Sequence, residues 1–237
     1  MASAVGMDKA MSKTVFAAHG LPVGRYEVVL KRDWVADPGG VQARLEAALG
    51  YPMFVKPANL GSSVGISKVK DPAGLPAALA AAAVFDRKLV VEAAVPQARE
   101  IECAVLGNDV PEASVPGEII PSREFYDYEA KYLDEGSKLL IPAPLTPAQA
   151  REVQQRSIAA FRALDCAGMA RVDFLMAGDT GELFLNEVNT IPGFTTISMY
   201  AKLWDATGVP YTALIDRLLS LAIERHAEKQ QLRTSVT

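Results

Sequence analysis

The stretch MARVDFLMAGDTGELFLNEVN, residues 169–189, reads as two strands joined by a turn. Val, Phe, Leu and Met alternate with polar positions on either side of a Gly/Asp/Thr cluster, the pattern of a β-hairpin. Arg171 and Asp173 lie two apart on the first strand and share a face. Glu187 and Asn189 do the same on the second. A three-residue turn within AGDTGE brings all four to one face, and a four-residue turn splits them. Two carboxylates and an amide oxygen gathered there form a hard-oxygen donor set suited to Mg²⁺ or Mn²⁺. The plain alternative is a solvated strand face or a row of salt bridges. Glu187 and Asn189 are expected on the face that carries Leu183 and Leu185, hence partly buried, where an unpaired carboxylate is costly and a cation relieves it.

Upstream, VKPANLGSSVG (55–65) ends a strand on Lys56 and passes at once into a Gly/Ser loop. Gly61 and Gly65 let the backbone turn its N–H groups inward, and Ser62 and Ser63 add hydroxyl donors, a phosphate cradle with Lys56 beneath it. It is not a Walker A loop, because GxxxxGK[ST] is absent, and most Gly/Ser loops are only loops. Glu92 ends the apolar strand LVVE, with Glu100 eight residues on; either suits a nucleotide donor or a surface salt bridge. Lys131 sits in YDYEAKY (126–132), a lid or a loop pinned to the core by its tyrosines. In NTIPGFTTISMY (189–200), Gly193, its neighbouring N–H groups and Ser198 suit a carboxylate or oxyanion, unless Ser198 merely caps a helix.

Around these motifs the chain reads as α+β. A helix is expected over 7–19 with Met11, Val15 and Ala18 on one face, then a strand over 23–30 and a helix over 39–49. Asp71-Pro72 starts an alanine-rich helix, and Thr146-Pro147-Ala148-Gln149 is a capping-box start to a long one. Antiparallel strands follow Pro96, and two helices, near 197–207 and 210–227, close the chain. Two lobes are expected, residues 1–95 and 96–237. The 237 residues are 50% hydrophobic and 22% charged, with 24 basic and 28 acidic side chains for a net charge of −4. That balance gives no footprint for nucleic acid, and no apolar run reaches the ~20 residues of a membrane span. Cys103 and Cys166 exclude a disulfide framework; Cys103 reads as packing rather than a nucleophile, and Cys166 has no partner base nearby in sequence. With only His19 and His226, chemistry here runs on carboxylates, lysines, arginine and backbone amides.

Taken in order, MDKAMSK (7–13), VKPANLGSSVGISKV (55–69), FYDYEAKY (125–132), GMARVDFL (168–175) and LNEVNTIPGFTTISMY (185–200) resemble the D-alanine–D-alanine ligases of the ATP-grasp superfamily. The likeness covers nearly the whole chain. It implies an ATP-grasp fold and ATP-dependent ligation of two D-alanines through an acyl phosphate, in the cytoplasm, for peptidoglycan precursors. By resemblance Lys9, Lys56 and Glu92 contact ATP together with Val95 and Asn186. Glu100 lies near the ribose, and Gly61, Ser62 and Ser63 fold over the phosphates. Asp173, Glu187 and Asn189 bind two Mg²⁺ or Mn²⁺, with Glu187 bridging. Lys131 rides its loop onto the γ-phosphate. Arg171 and the Gly193 amide, with Ser62, serve the reacting centre; Tyr132, Ser198 and Met199 hold the second substrate, and the YDYEAKY loop is of the dipeptide-forming type. Family members are homodimers with a further N-terminal domain of about 100 residues, ahead of the MDK segment where this sequence begins. The resemblance therefore implies a chain that binds ATP and Mg²⁺ but ligates poorly or not at all. Another ATP-grasp carboxylate–amine ligase, or a non-catalytic ATP-binding remnant, are the competing readings.

Overall fold

The computed structural model describes residues 1–120, 138–195 and 198–233. Along the chain run α1 (Ala2–Met7), α2 (Lys9–Ala18), β1 (Tyr26–Leu30), α3 (Lys31–Ala36), α4 (Pro38–Leu49), β2 (Met53–Pro57) and β3 (Ser67–Val69). Then come α5 (Leu75–Ala82), β4 (Lys88–Ala93), β5 (Arg99–Gly107), β6 (Glu112–Ala113), β7 (Gly117–Ile120) and β8 (Lys138–Leu140). The last elements are α6 (Pro147–Ala163), β9 (Gly168–Met176), β10 (Leu183–Asn189), α7 (Met199–Ala206) and α8 (Tyr211–Gln231).

The strands form two antiparallel sheets, one of four in the order β1-β4-β2-β3 and one in the order β10-β9-β5-β7-β8 with β6 beside β5. Alternation along β2 (Met53, Val55) and β4 (Leu89, Val91) sends one apolar row against α4 and α5, where Leu45, Leu75 and Leu79 complete the smaller core. In the larger sheet, Ile101, Cys103 and Val105 of β5 and Val172, Phe174 and Met176 of β9 share a face. They pack beneath Val153, Ala160 and Phe161 of α6. The opposite face is divided. One end lies under Tyr200, Leu203 and Trp204 of α7 and Leu214 of α8. The other end, which carries Glu100, Glu102, Arg171 and Asp173, turns toward the smaller sheet.

Caps fall where the sequence marks them. Thr146 and Gln149 exchange the reciprocal bonds of a capping box at the start of α6. The Asp71 carboxylate accepts from the Gly74 N–H (3.1 Å), starting a 3₁₀ turn that leads into α5.

The first helix differs from expectation. It is broken at Asp8, whose carboxylate accepts from the Ala10 and Met11 amides at 3.1 Å and caps α2. The buried face of α2 is not Met11, Val15 and Ala18; Met11 is 49% exposed, and the buried residues are Lys9, Ala10, Ser12, Lys13 and Phe16. The cause is position. Phe16 and Leu21 enter the core of the larger sheet, while the opposite end of α2 meets the smaller lobe, where the Lys9 N–H donates to the Ala58 carbonyl (2.9 Å) and Asp8 pairs with Lys88. Ala2 and Val5 of α1 also pack on the larger core. Neither α1 nor α3 is foreshadowed by periodicity, because each is six residues long.

Candidate active site

A cleft of about 400 Å³ opens between the two sheets. Phe54, Lys56 and Lys68 line it from the smaller lobe with Glu92. Ala93, Ala94, Val95, Gln97 and Ala98 line it between the sheets, and Glu100, Glu102, Asp173 and Glu187 line it from the larger sheet. Of the residues expected at a nucleotide or metal site, Lys9, Lys56, Gly61, Ser62, Ser63, Glu92, Val95, Glu100, Asp173, Asn186 and Glu187 all line it. Arg171, Asn189, Gly193, Ser198 and Met199 do not, although Arg171 and Asn189 bond to Asp173, which does. Lys131 and Tyr132 lie outside the described residues.

One wall is basic. Glu92, 6% exposed, takes Lys13 on Oε1 (3.1 Å) and Lys56 on Oε2 (2.7 Å). Burial by itself raises the Glu92 carboxyl, but the two ammonium groups and their hydrogen bonds outweigh it and bring it down to about 2. Lys9 stands alongside and donates from Nζ to the Leu60 carbonyl. Burial lowers its ammonium; the nearby lysines add to that, and Glu187 and Glu92 oppose it. Lys13 and Lys56 share Glu92, Lys9 stands beside them, and Lys68 lines the same cleft. The excess of positive charge suits a polyanion. Lys13 and Lys68 were not foreseen as site residues. The signal for Lys13 was its i, i+4 spacing from Lys9, which puts both on one flank of a helix.

The Gly/Ser loop beside Lys56 turns differently from expectation. Ser62 and Ser63 themselves take the left-handed backbone (φ +52° and +59°), as does Gly65 (+70°), whereas Gly61 does not. Consecutive left-handed non-glycine residues are uncommon and concentrate at ligand clamps. Gly65 is required for a second reason. A Cβ there falls 2.7 Å from Phe85 Cδ2 and 2.8 Å from Pro57 Cγ.

The other wall is the hairpin. Its loop is the four-residue turn, 178–181, closed by the Ala177 N–H on the Glu182 carbonyl (2.9 Å), which by itself would split the four polar residues. Register runs Leu183↔Met176 to Leu185↔Phe174, then shifts at a bulge on Asn186 and resumes Glu187↔Asp173 and Asn189↔Arg171. The extra residue reverses the parity of β10. Leu183 and Leu185 therefore stay on the core face, and Glu187 and Asn189 move to the opposite one. The expectation that they share the leucines' face is corrected; the gathering of all four polar residues holds.

There Arg171 is bidentate on Asp173 (Nε–Oδ1 and Nη2–Oδ2, both 2.7 Å) and 3.0 Å from Glu102 Oε2. Burial works to lower the guanidinium, but Asp173 and Glu102 overcome it and hold it well above its ordinary value. Asn189 Nδ2 donates to Asp173 Oδ2 (2.8 Å) and, longer, to Glu187 Oε1 (3.4 Å). Among the described residues no three His, Cys, Asp or Glu side chains converge on a metal position. The set is two carboxylates and an amide, and turning the amide over would present its oxygen to the same point. That chemistry fits a hard divalent cation whose other ligands come from phosphate and water.

Ser198 stands at the start of α7 without capping it. Its Oγ accepts from the Thr195 N–H (3.0 Å) and lies 2.8 Å from Thr195 Oγ1, closing the turn after exposed Gly193. Cys103 and Cys166 are buried and free, and burial pushes both thiols up to about 11, in keeping with packing.

Residues 15–220 match the family model described as the D-ala D-ala ligase C-terminus. The chain is 56% identical over 230 residues to a D-alanine–D-alanine ligase of Thermoanaerobacter sp. (strain X514), covering 97% of this chain and 63% of the relative. It is 54% identical over 234 residues to that of Heliobacterium modesticaldum (99% and 64%). Among solved structures, the D-alanine-D-alanine ligase from Coxiella burnetii superposes with a TM-score of 0.84 at 41% identity, over 97% of this chain and 60% of that one. The VanG D-Ala:D-Ser ligase from Enterococcus faecalis superposes at 0.83 with 34% identity (93% and 62%). Two α+β lobes closing on a basic cleft with an acidic far wall define this as an ATP-grasp fold. The chain belongs to the D-alanine–D-alanine ligase family through that family's C-terminal part. It spans about 63% of the length of the curated relatives it matches.

Proposed function

We propose that the chain carries the nucleotide- and metal-binding machinery of a ligase that joins two D-alanines at the expense of ATP, yielding ADP, phosphate and D-alanyl-D-alanine for peptidoglycan precursors. The observation that carries this reading is the opposition, across one cleft, of the Glu92–lysine cluster and the Asp173–Glu187–Asn189 set.

Lys9 and Lys56, with the amides and hydroxyls of Gly61, Ser62 and Ser63, hold the phosphates. Glu92, Val95, Glu100 and Asn186 line the nucleoside end. Asp173, Glu187 and Asn189 would hold two divalent ions, Mg²⁺ or Mn²⁺, which would neutralise charge on the transferring phosphoryl group. A D-alanine carboxylate oxygen attacks the γ-phosphorus and ADP leaves. The amine of the second D-alanine then attacks the acyl carbon, and phosphate leaves as the amide forms. Arg171 and the Gly193 N–H face the oxyanion of that addition, Lys131 brings its loop onto the γ-phosphate, and Tyr132, Ser198 and Met199 receive the second amino acid. Exclusion of water keeps the acyl phosphate from hydrolysis. The same reading divides the chain into residues 1–95, a central lobe, and 96–237, a C-terminal lobe, and takes the enzyme to be cytoplasmic.

The test is phosphate release from ATP with Mg²⁺, with and without D-alanine, with the dipeptide followed in the same sample. Phosphate release stimulated by D-alanine, with little dipeptide formed, is the expected result. Stimulation by a different carboxylate and not by D-alanine would replace the substrate assignment.

A further inference from the structure

We propose that Glu102 is a positioning residue for the cation site: it offers the Arg171 guanidinium a second anchor, so that Asp173 can turn from Arg171 to a divalent ion. The inference rests on the metal reading above and deepens it.

In the structure Arg171 competes for the ligand. Its two bonds engage both Asp173 oxygens, and Asn189 Nδ2 takes a further position on Oδ2. Asn189 is adaptable, since its amide presents oxygen as readily as nitrogen. Arg171 has donors only. For Asp173 to ligate a cation with full strength, the guanidinium must loosen its grip, and a half-buried guanidinium deprived of its carboxylate is costly.

Glu102 removes that obstacle. It lies on β5 directly opposite Asp173 of β9, on the same face, and is 6% exposed. Its Oε2 is already 3.0 Å from Arg171 Nε. Nε has one hydrogen, and that hydrogen goes to Asp173 Oδ1, so the Glu102 contact is a charge contact rather than an aligned hydrogen bond. A small rotation of the guanidinium converts it into one. The neutralising partner then changes from Asp173 to Glu102 while Arg171 stays on the same wall. A purely structural salt bridge has no such dependence on what Asp173 binds.

The test is Mn²⁺ binding, followed by loss of the free-ion EPR signal in the presence of a non-hydrolysable ATP analogue. It is run on the parent chain, Glu102→Gln, Arg171→Met and the double variant. Glu102→Gln is expected to weaken Mn²⁺ binding about tenfold, within the coupling seen in contacting charge networks. Arg171→Met should tighten it by removing the competitor. In that background Glu102→Gln should change it less than about twofold. Glu102→Asp, which keeps the charge, guards against a folding defect and should retain tighter binding than Glu102→Gln. An equal weakening by Glu102→Gln in both backgrounds would mean a direct field effect and overturn the proposal, as would no weakening at all. If Asp173→Asn leaves Mn²⁺ affinity unchanged, it is the metal reading itself that fails.

Discussion

Glu92 shows how much of the cleft depends on single charges. Its carboxyl, ordinarily near 4.5, is held at about 2 in the folded protein by Lys13 and Lys56. A depressed folded value means the ionised form favours folding. The contribution is complete above about pH 4.5 and is lost as the pH falls toward 2, and the shift corresponds to about 3 kcal/mol at most. Glu92→Gln should therefore lower the urea midpoint markedly at pH 7, and the gap from the parent should close as the pH approaches 2. A gap of the same size at both ends would mean that packing, not charge, is what the substitution removes.

At the scale of elements, local chemistry was legible and pairing was not. The capping box at Thr146, the Asp71-Pro72 start, the hairpin of residues 169–189 and the irregular Gly/Ser loop all rest on neighbours within a few residues, and each stands where the sequence puts it. The bulge at Asn186 could not be read, because it exists only in the register between β9 and β10. The face of α2 was misjudged because counting apolar positions overlooks lysines buried against carboxylates. Glu102 was passed over since its meaning depends on a strand about 70 residues away in sequence. Two substitutions test the local devices. Thr146→Ala should cost about 1 kcal/mol, the usual value of an N-cap, read as a lower melting temperature. Gly65→Ala should cost more than the ~1–2 kcal/mol of a left-handed residue, because its methyl also meets Phe85 and Pro57. Phosphate binding at the neighbouring serines should weaken with it.

At the scale of the molecule, α2 joins what the sheets separate. Phe16 is anchored in the larger core, while Asp8, Lys9 and Lys13 reach Lys88, Ala58, Leu60 and Glu92 of the smaller lobe. One short helix thus ties the two lobes that flank the cleft. Among the described residues no helix is long and apolar enough to cross a membrane. The most direct measurement is calorimetric titration of a non-hydrolysable ATP analogue into the chain, with and without Mg²⁺, repeated on Lys56→Ala and Asp173→Asn. Saturable binding that strengthens with Mg²⁺ is expected, weakened about tenfold or more by Lys56→Ala, with the Mg²⁺ enhancement lost in Asp173→Asn; tenfold corresponds to about 1.4 kcal/mol per contact. Binding indifferent to Mg²⁺ and to both substitutions would contradict a nucleotide site shared between the two walls.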